Sequence, residues 1–184
     1  TELVLVQRSI AKAFKEKLVG YINQLRVGDP WDESVDLGPI VFPRIVENAN
    51  RQLNEAVAGG ARIVCGGEVK GMYFQPTVLE GVRPDMSIAQ ERTSAPITPL
   101  VEFNREEEAI ALANSNPYGL RASVFTRDIG RAFRTVGQIK AGGIMVNHAP
   151  FHHEAIYPDG GYKQSGLGTL RYLIEELRRK KLVV

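Results

Sequence analysis

The sequence has one cysteine, one tryptophan and no long apolar run. A single thiol, Cys65, excludes an intramolecular disulfide framework and a cysteine-rich zinc module. No apolar stretch approaches the roughly 18 residues that a membrane-crossing helix needs. The chain does not open on the basic and apolar regions of a secretory signal, so the cytoplasm is the expected compartment. Charge of one sign is missing too. Twenty-three basic residues against 21 acidic ones leave a net charge of +2, too balanced for a nucleic-acid-binding stripe. The one dense basic run, residues 178–181, suits a solvated helix end. What remains is ordinary for a globular protein: 184 residues, 43% hydrophobic and 24% charged, with 18 glycines and 10 prolines. That composition excludes disorder, and the length matches one domain able to bury its own core.

Periodicity supplies the elements. Ile10, Phe14, Leu18, Ile22 and Leu25 recur at helical steps, predicting an amphipathic helix capped by Ser9 and ended near Gly28. A second helix is predicted from about Arg44 to Ala58, with Ile45, Ala49, Leu53 and Ala56 inward and Gly59-Gly60 as its stop. Ala61 to Cys65 reads as a short strand. In the run Ile97–Phe103, Pro99 cannot donate to a ladder, which places the start of a central strand at Leu100. Asn104 and Glu107 suggest a capping box for a helix that ends near residues 114–117. Ala122–Thr126 reads as a strand, and Asp128 to Ile139 as a helix with Phe133 and Val136 inward. Ile144–Val146 reads as a buried strand, and Leu170, Leu173, Ile174 and Leu177 mark a last helix. Strands alternating with helices predict an α/β fold: a single domain over residues 1–184, with a largely parallel sheet flanked by helices.

No familiar catalytic constellation stands out. The loop Gly160-Gly-Tyr-Lys-Gln-Ser-Gly-Leu-Gly168 fails the dinucleotide fingerprint, because Arg171 occupies the third glycine position. It fails the P-loop pattern as well, because Gln164 separates Lys163 from Ser165. A tight loop before a helix is the plainer reading. His148, His152, His153 and Glu154 cluster in sequence, but Pro150 breaks the helix that would align them, so no metal site is assigned. Cys65 follows Arg-Ile-Val in an apolar strand, where a cysteine acts as a small hydrophobe rather than a nucleophile.

An ordered series of short motifs goes further. Gly28-Asp-Pro, Leu37-Gly-Pro-Ile40 and Tyr73–Val78 come first, followed by Glu91–Pro96 and Asn114–Leu120. Ala122–Thr126, Ala141-Gly-Gly143, Val146-Asn147 and Gly160–Gly168 complete it. Taken together and in order, they resemble the aldehyde dehydrogenase superfamily, in its catalytic domain only. The resemblance implies an NAD(P)-dependent enzyme that oxidises an aldehyde to a carboxylic acid through a cysteine thiohemiacetal and a thioester. It places the nucleophilic cysteine just before Thr1. The general base and the cofactor-binding domain fall further upstream, so no catalytic residue is assigned here and no cofactor is expected on this chain alone. Family habit also implies homo-oligomers.

Several positions depart from the family pattern. Glu2 stands where Arg is commoner. The segment usually written Glu-Glu-x-Phe-Gly-Pro reads Glu91-Arg-Thr-Ser-Ala-Pro96, and in the family its second Glu and its Phe contact the cofactor. The resemblance therefore assigns Arg92 and Ser94 to cofactor binding. Arg92 brings a donor where an acceptor is usual, suited to a phosphate or a substrate anion. Asp159 stands near a position that is commonly Phe, and with His153 it implies a more polar substrate pocket. Taken as an enzyme portion, the chain is expected to be inactive alone. The alternative is a non-catalytic assembly or ligand-binding domain with the same fold.

Overall fold

A computed structural model of the chain describes residues 2–150 and 160–166. Backbone contacts divide it into two compact units, Thr1–Ala109 and Ile110–Val184.

The first unit is built on a four-stranded sheet. Strand β1 (Val4–Gln7) runs directly into helix α1 (Arg8–Ile22). Helix α2 (Pro43–Ala58) follows, then strands β2 (Arg62–Cys65), β3 (Val69–Lys70), β4 (Tyr73–Phe74) and β5 (Thr77–Glu80). The short helix α3 (Ser87–Gln90) leads to β6 (Ile97–Phe103). The order across the sheet is β1-β6-β5-β2, parallel at its first two pairings and antiparallel where β2 meets β5. A separate two-stranded hairpin joins β3 to β4.

Helix α2 begins where Pro43 fixes φ at its first turn, and its apolar stripe is the expected one except that Val46 takes the place of Ile45. Val46, Ala49, Leu53 and Ala56 are buried, and Ile45 is only half-buried. Phe74, Val78, Leu79, Ile97, Leu100 and Val101 are buried as well and belong to the apolar core of this unit. Gly66 lets β2 end against the start of β5. It sits at φ 76°, and a Cβ there would overlap the Pro76 carbonyl.

Three local expectations are corrected here. Ser9 lies inside α1, because β1 passes into the helix at Gln7, which offers no side-chain cap. The stripe of α1 is only partly covered: no residue of the helix is fully buried, and Ile10 is 55% exposed. Strand β6 starts at Ile97 rather than Leu100, with Pro99 inside it. Residues 97–99 pair only with β5, and β1 joins from Leu100 onward. The Thr77 amide donates to the Pro96 carbonyl, so by ladder alternation Pro99 turns its missing N–H away from β5, toward the side still unpaired.

Helix α4 (Glu106–Ser115) crosses the boundary between the units. Its start is capped as expected in kind but not in residue, since Glu108 rather than Glu107 accepts from the Asn104 amide, at 2.8 Å. The helix begins two residues after Asn104, which puts Glu108 at the reach-back position.

The second unit contains β7 (Tyr118–Gly119), β8 (Arg121–Val124), helix α5 (Ile129–Gln138), β9 (Gly143–Val146) and β10 (Tyr162–Lys163). Strands β8 and β9 are parallel with α5 between them, a βαβ unit, and β7 pairs with β10 antiparallel. Asp128 caps α5 by accepting from the Arg131 amide. That bond holds the Asp128 carboxyl below its ordinary pKa.

Two expectations fail in this unit. Phe133 points outward at 73% exposure, and Ala132 and Thr135 take the inward positions of α5. Strand β9 is half-buried rather than buried, and Val146 is exposed. The predicted last helix and residues 182–184 lie outside the described residues, as do His152, His153, Glu154 and Asp159. Each unit is α/β as the sequence implied, with the first unit's sheet parallel at two of its three pairings and β8 parallel to β9 in the second.

Candidate functional site

Segment 91–96 links α3 to β6 and carries Arg92 and Ser94. Helix α2 supplies its near anchor. Asn48, Arg51, Gln52 and Glu55 lie three or four residues apart, which places them on neighbouring positions of the helix surface. Arg51 donates to Glu91 at 2.6 Å, to Asn48 Oδ1 at 2.7 Å and to both Glu55 oxygens at 2.9 Å. Gln52, fully buried, adds a second bond to Glu91 at 3.2 Å. Its Oε1 is buried without a hydrogen-bond partner among the described residues. Glu55 also accepts from Ser87 on α3 at 2.6 Å. The bonds from Ser87 and then Arg51 hold the Glu55 carboxyl below its usual pKa, and Glu55 and Glu91 hold the Arg51 guanidinium above its own.

The remaining anchors hold the main chain of the segment, and one comes from Glu2, just before β1. Asn48 Nδ2 donates to the Arg92 carbonyl at 3.4 Å. The Thr93 N–H donates to the Glu2 carboxylate at 3.0 Å, and Thr93 is 4% exposed. At the far end Thr77 donates to the Pro96 carbonyl at 2.8 Å. Ser94 is one of three non-glycine residues at positive φ among the described residues, at 55°. The result is a pinned segment whose Arg92 and Ser94 are exposed. Among the described residues, the Arg92 guanidinium makes no ion pair.

The glycine-rich loop is pinned by different means. The Lys163 ammonium donates to the carbonyls of Asn114 at 2.9 Å, Asn116 at 2.8 Å and Tyr118 at 3.4 Å. Desolvation first, and Lys140 second, lower its pKa. Ser165 Oγ accepts from the Gly119 amide, and the Gln164 amide donates to the Pro117 carbonyl. The loop is thus fastened to the turn that follows α4, in agreement with the tight-loop reading.

Other candidates resolve plainly. Cys65 is half-buried on β2, opposite Val78, with β5 between it and β6. His148 is exposed, with Nδ1 against the Ala149 carbonyl at 2.9 Å. No group of His, Cys, Asp or Glu is arranged to hold a metal ion among the described residues. None of the described helices is long and apolar enough to cross a membrane. Of the anchoring residues, the sequence marks Glu2 only as a departure from the family pattern, with no role attached, and it does not mark Asn48, Arg51 or Gln52. One signal was there: Gln52 is a polar side chain set in the buried stripe of α2.

The pattern of the aldehyde dehydrogenase family matches residues 1–182. The chain belongs to that family. It is 39% identical over 172 residues to a betaine aldehyde dehydrogenase of Brucella anthropi, a match covering 90% of this chain and 35% of that protein. A betaine aldehyde dehydrogenase structure from Staphylococcus aureus, in complex with NAD+, superimposes with a TM-score of 0.86 at 34% identity. That match covers 91% of this chain and 35% of the other. A glyceraldehyde-3-phosphate dehydrogenase from Methanocaldococcus jannaschii, complexed with NADP, gives 0.91 at 35% identity, covering 96% and 39%. The chain therefore spans a little over a third of the length of these relatives.

Proposed function

We propose that the chain forms part of an NAD(P)-dependent aldehyde dehydrogenase that oxidises an aldehyde to a carboxylic acid. The observation that carries this reading is the pinned 91–96 segment, which presents Arg92 and Ser94 outward from four separate anchors. A guanidinium and a hydroxyl fit the phosphates and ribose hydroxyls of a dinucleotide, NAD or NADP. The cofactor supplies, when bound, the acceptor for the hydride. Arg92 offers charge-assisted hydrogen bonds to an anionic group, and Ser94 offers a small polar contact where a bulky ring is usual. His153 and Asp159 line the substrate pocket in this reading and make its mouth polar.

The reacting groups belong to polypeptide outside these residues. Cys65 is the only cysteine in the sequence, and its place on an edge strand suits packing. The nucleophile, the general base and the cofactor-binding domain lie upstream in this reading, and the chain alone is inactive. Exposed apolar side chains support docking to that domain or to further copies. Trp31, Val41 and Phe42 are exposed in the first unit, as are Phe125, Ile129 and Phe133 in the second. We place the assembled protein in the cytoplasm as a homo-oligomer.

The departures at Arg92, Ser94 and Asp159 favour a second reading, a non-catalytic assembly or ligand-binding domain. One assay separates the two. A panel of aldehydes with NAD+ and NADP+ is tested on the full-length protein and on this chain. Turnover by the full-length protein alone is expected. Turnover by this chain alone overturns the division of labour, and none by either leaves the second reading.

A further inference from the structure

Segment 91–96 contains a strained residue with little local reason to stay strained. Ser94 sits in the left-handed region at φ 55°, a conformation that strains a non-glycine residue and persists where flanking contacts over-determine it. On its C-terminal side the Thr77 amide fixes the Pro96 carbonyl. On its N-terminal side the adjacent residue, Thr93, is fixed through its amide by one carboxylate, that of Glu2. The contact reaches across 91 positions of sequence, to the residues that lead into β1. Thr93 is almost fully buried, and its Oγ1 has no partner among the described residues. Glu2 therefore makes the polar contact that Thr93 has on this side.

We propose that Glu2 is a positioning residue. By accepting the Thr93 N–H it holds the backbone on either side of that amide, and so fixes the outward presentation of Arg92 and Ser94. The neighbouring anchors do not duplicate it, since Arg51 and Gln52 grip the Glu91 side chain and Asn48 grips the Arg92 carbonyl at a longer distance. The role depends on acceptor chemistry. A carboxylate or a carboxamide oxygen can take the Thr93 proton, whereas an arginine brings only donors to a donor. Thus the Glu2 carboxylate is matched to the donor it meets. The cofactor side of the inference rests on the function proposed above.

The test compares Glu2→Gln, Glu2→Leu and Glu2→Arg in the full-length protein. Two quantities are read: hydrogen exchange at the Thr93 amide, and affinity for NADH or NADPH by fluorescence. Exchange at Thr93 is expected to stay slow in Glu2→Gln and to quicken about tenfold or more in Glu2→Leu and Glu2→Arg. Cofactor affinity is expected to weaken about threefold to tenfold in the latter two. Amides of α2 serve as the control. A general loss of stability would speed them as well, and that outcome overturns a positioning role. So does unchanged Thr93 exchange in Glu2→Leu, or faster exchange with cofactor affinity kept. If the unaltered protein binds neither nucleotide, the proposed function falls, and the exchange data alone decide the role of Glu2.

Discussion

Asn147 and Thr126 exchange two hydrogen bonds. The Thr126 amide donates to Asn147 Oδ1, and Asn147 Nδ2 donates to the Thr126 carbonyl, each at 2.9 Å. The pair ties the exit of β9 to the exit of β8, and Asn147 adopts φ 54° to make it. Asparagine tolerates that conformation and supplies both a donor and an acceptor.

Replacing Asn147 by aspartate keeps the acceptor and loses the donor, and replacing it by alanine loses both. Both variants should unfold at lower denaturant concentration. Asn147→Asp should lose about 1 kcal/mol and Asn147→Ala about 1–3 kcal/mol, since the site is exposed and water compensates in part. Chemical denaturation checks the order, and equal midpoints for the two variants would contradict it.

Lys163 brings one ammonium to three main-chain carbonyls. Lys163→Met leaves those acceptors to water and should destabilise the protein by about 1–3 kcal/mol. Lys163→Arg should recover only part of the loss, because a planar guanidinium cannot converge on three oxygens from a single atom. Thermal melting of the two variants measures the difference.

Glu80 is reached by the Lys15 ammonium from α1 and by Arg62 from β2, the latter at 2.8 Å. The Lys15 bond is the leading cause that lowers its carboxyl pKa. The stabilisation it gives is therefore complete above the ordinary Glu value of about 4.3, and is lost as pH falls through the lowered folded value. Glu80→Gln should be less stable than the unaltered protein at neutral pH, with the gap closing in acid. Urea midpoints measured across that range test it.

Two glycines should respond oppositely to alanine. A Cβ on Gly142 would overlap the Gly160 carbonyl, so Gly142→Ala should cost about 1–3 kcal/mol. Gly137 lies within α5, with nothing near its missing Cβ. Gly137→Ala should add about 0.5–1 kcal/mol of stability. A calorimetric Tm for each variant settles the sign.

Much of this fold is written locally. The α2 stripe, its glycine stop, the Asp128 cap and the alternation of strands and helices all follow from spacing. Some misses are local, since α1 and α4 start a residue or two away from the expected caps, and one turns on a neighbour far along the chain. Pro99 sits within β6 because β1 arrives one residue later. On α5 the small residues Ala132 and Thr135 take the buried positions, and Phe133 is exposed. For the candidate site, Arg92 and Ser94 were legible only as departures from a family pattern. The grip of Glu2 on Thr93 was not, since no periodicity links positions 91 residues apart. Gln52, a polar side chain on an apolar stripe, was the one clue to the anchors that α2 provides.

The parallel pairing of β1 with β6 joins Val4 to Leu100. Synthesis at the usual pace needs about 5–20 s to cover that interval of about a hundred residues. Throughout it β1 lacks its β6 partner, and for most of it Thr93 is not yet made. Such distant pairings slow folding, because the loop must close before any contact rewards it. The ladder that aligns Glu2 with its amide is thus among the last parts of the first unit to form, and a nascent chain halted before residue 97 would offer β1 no seat.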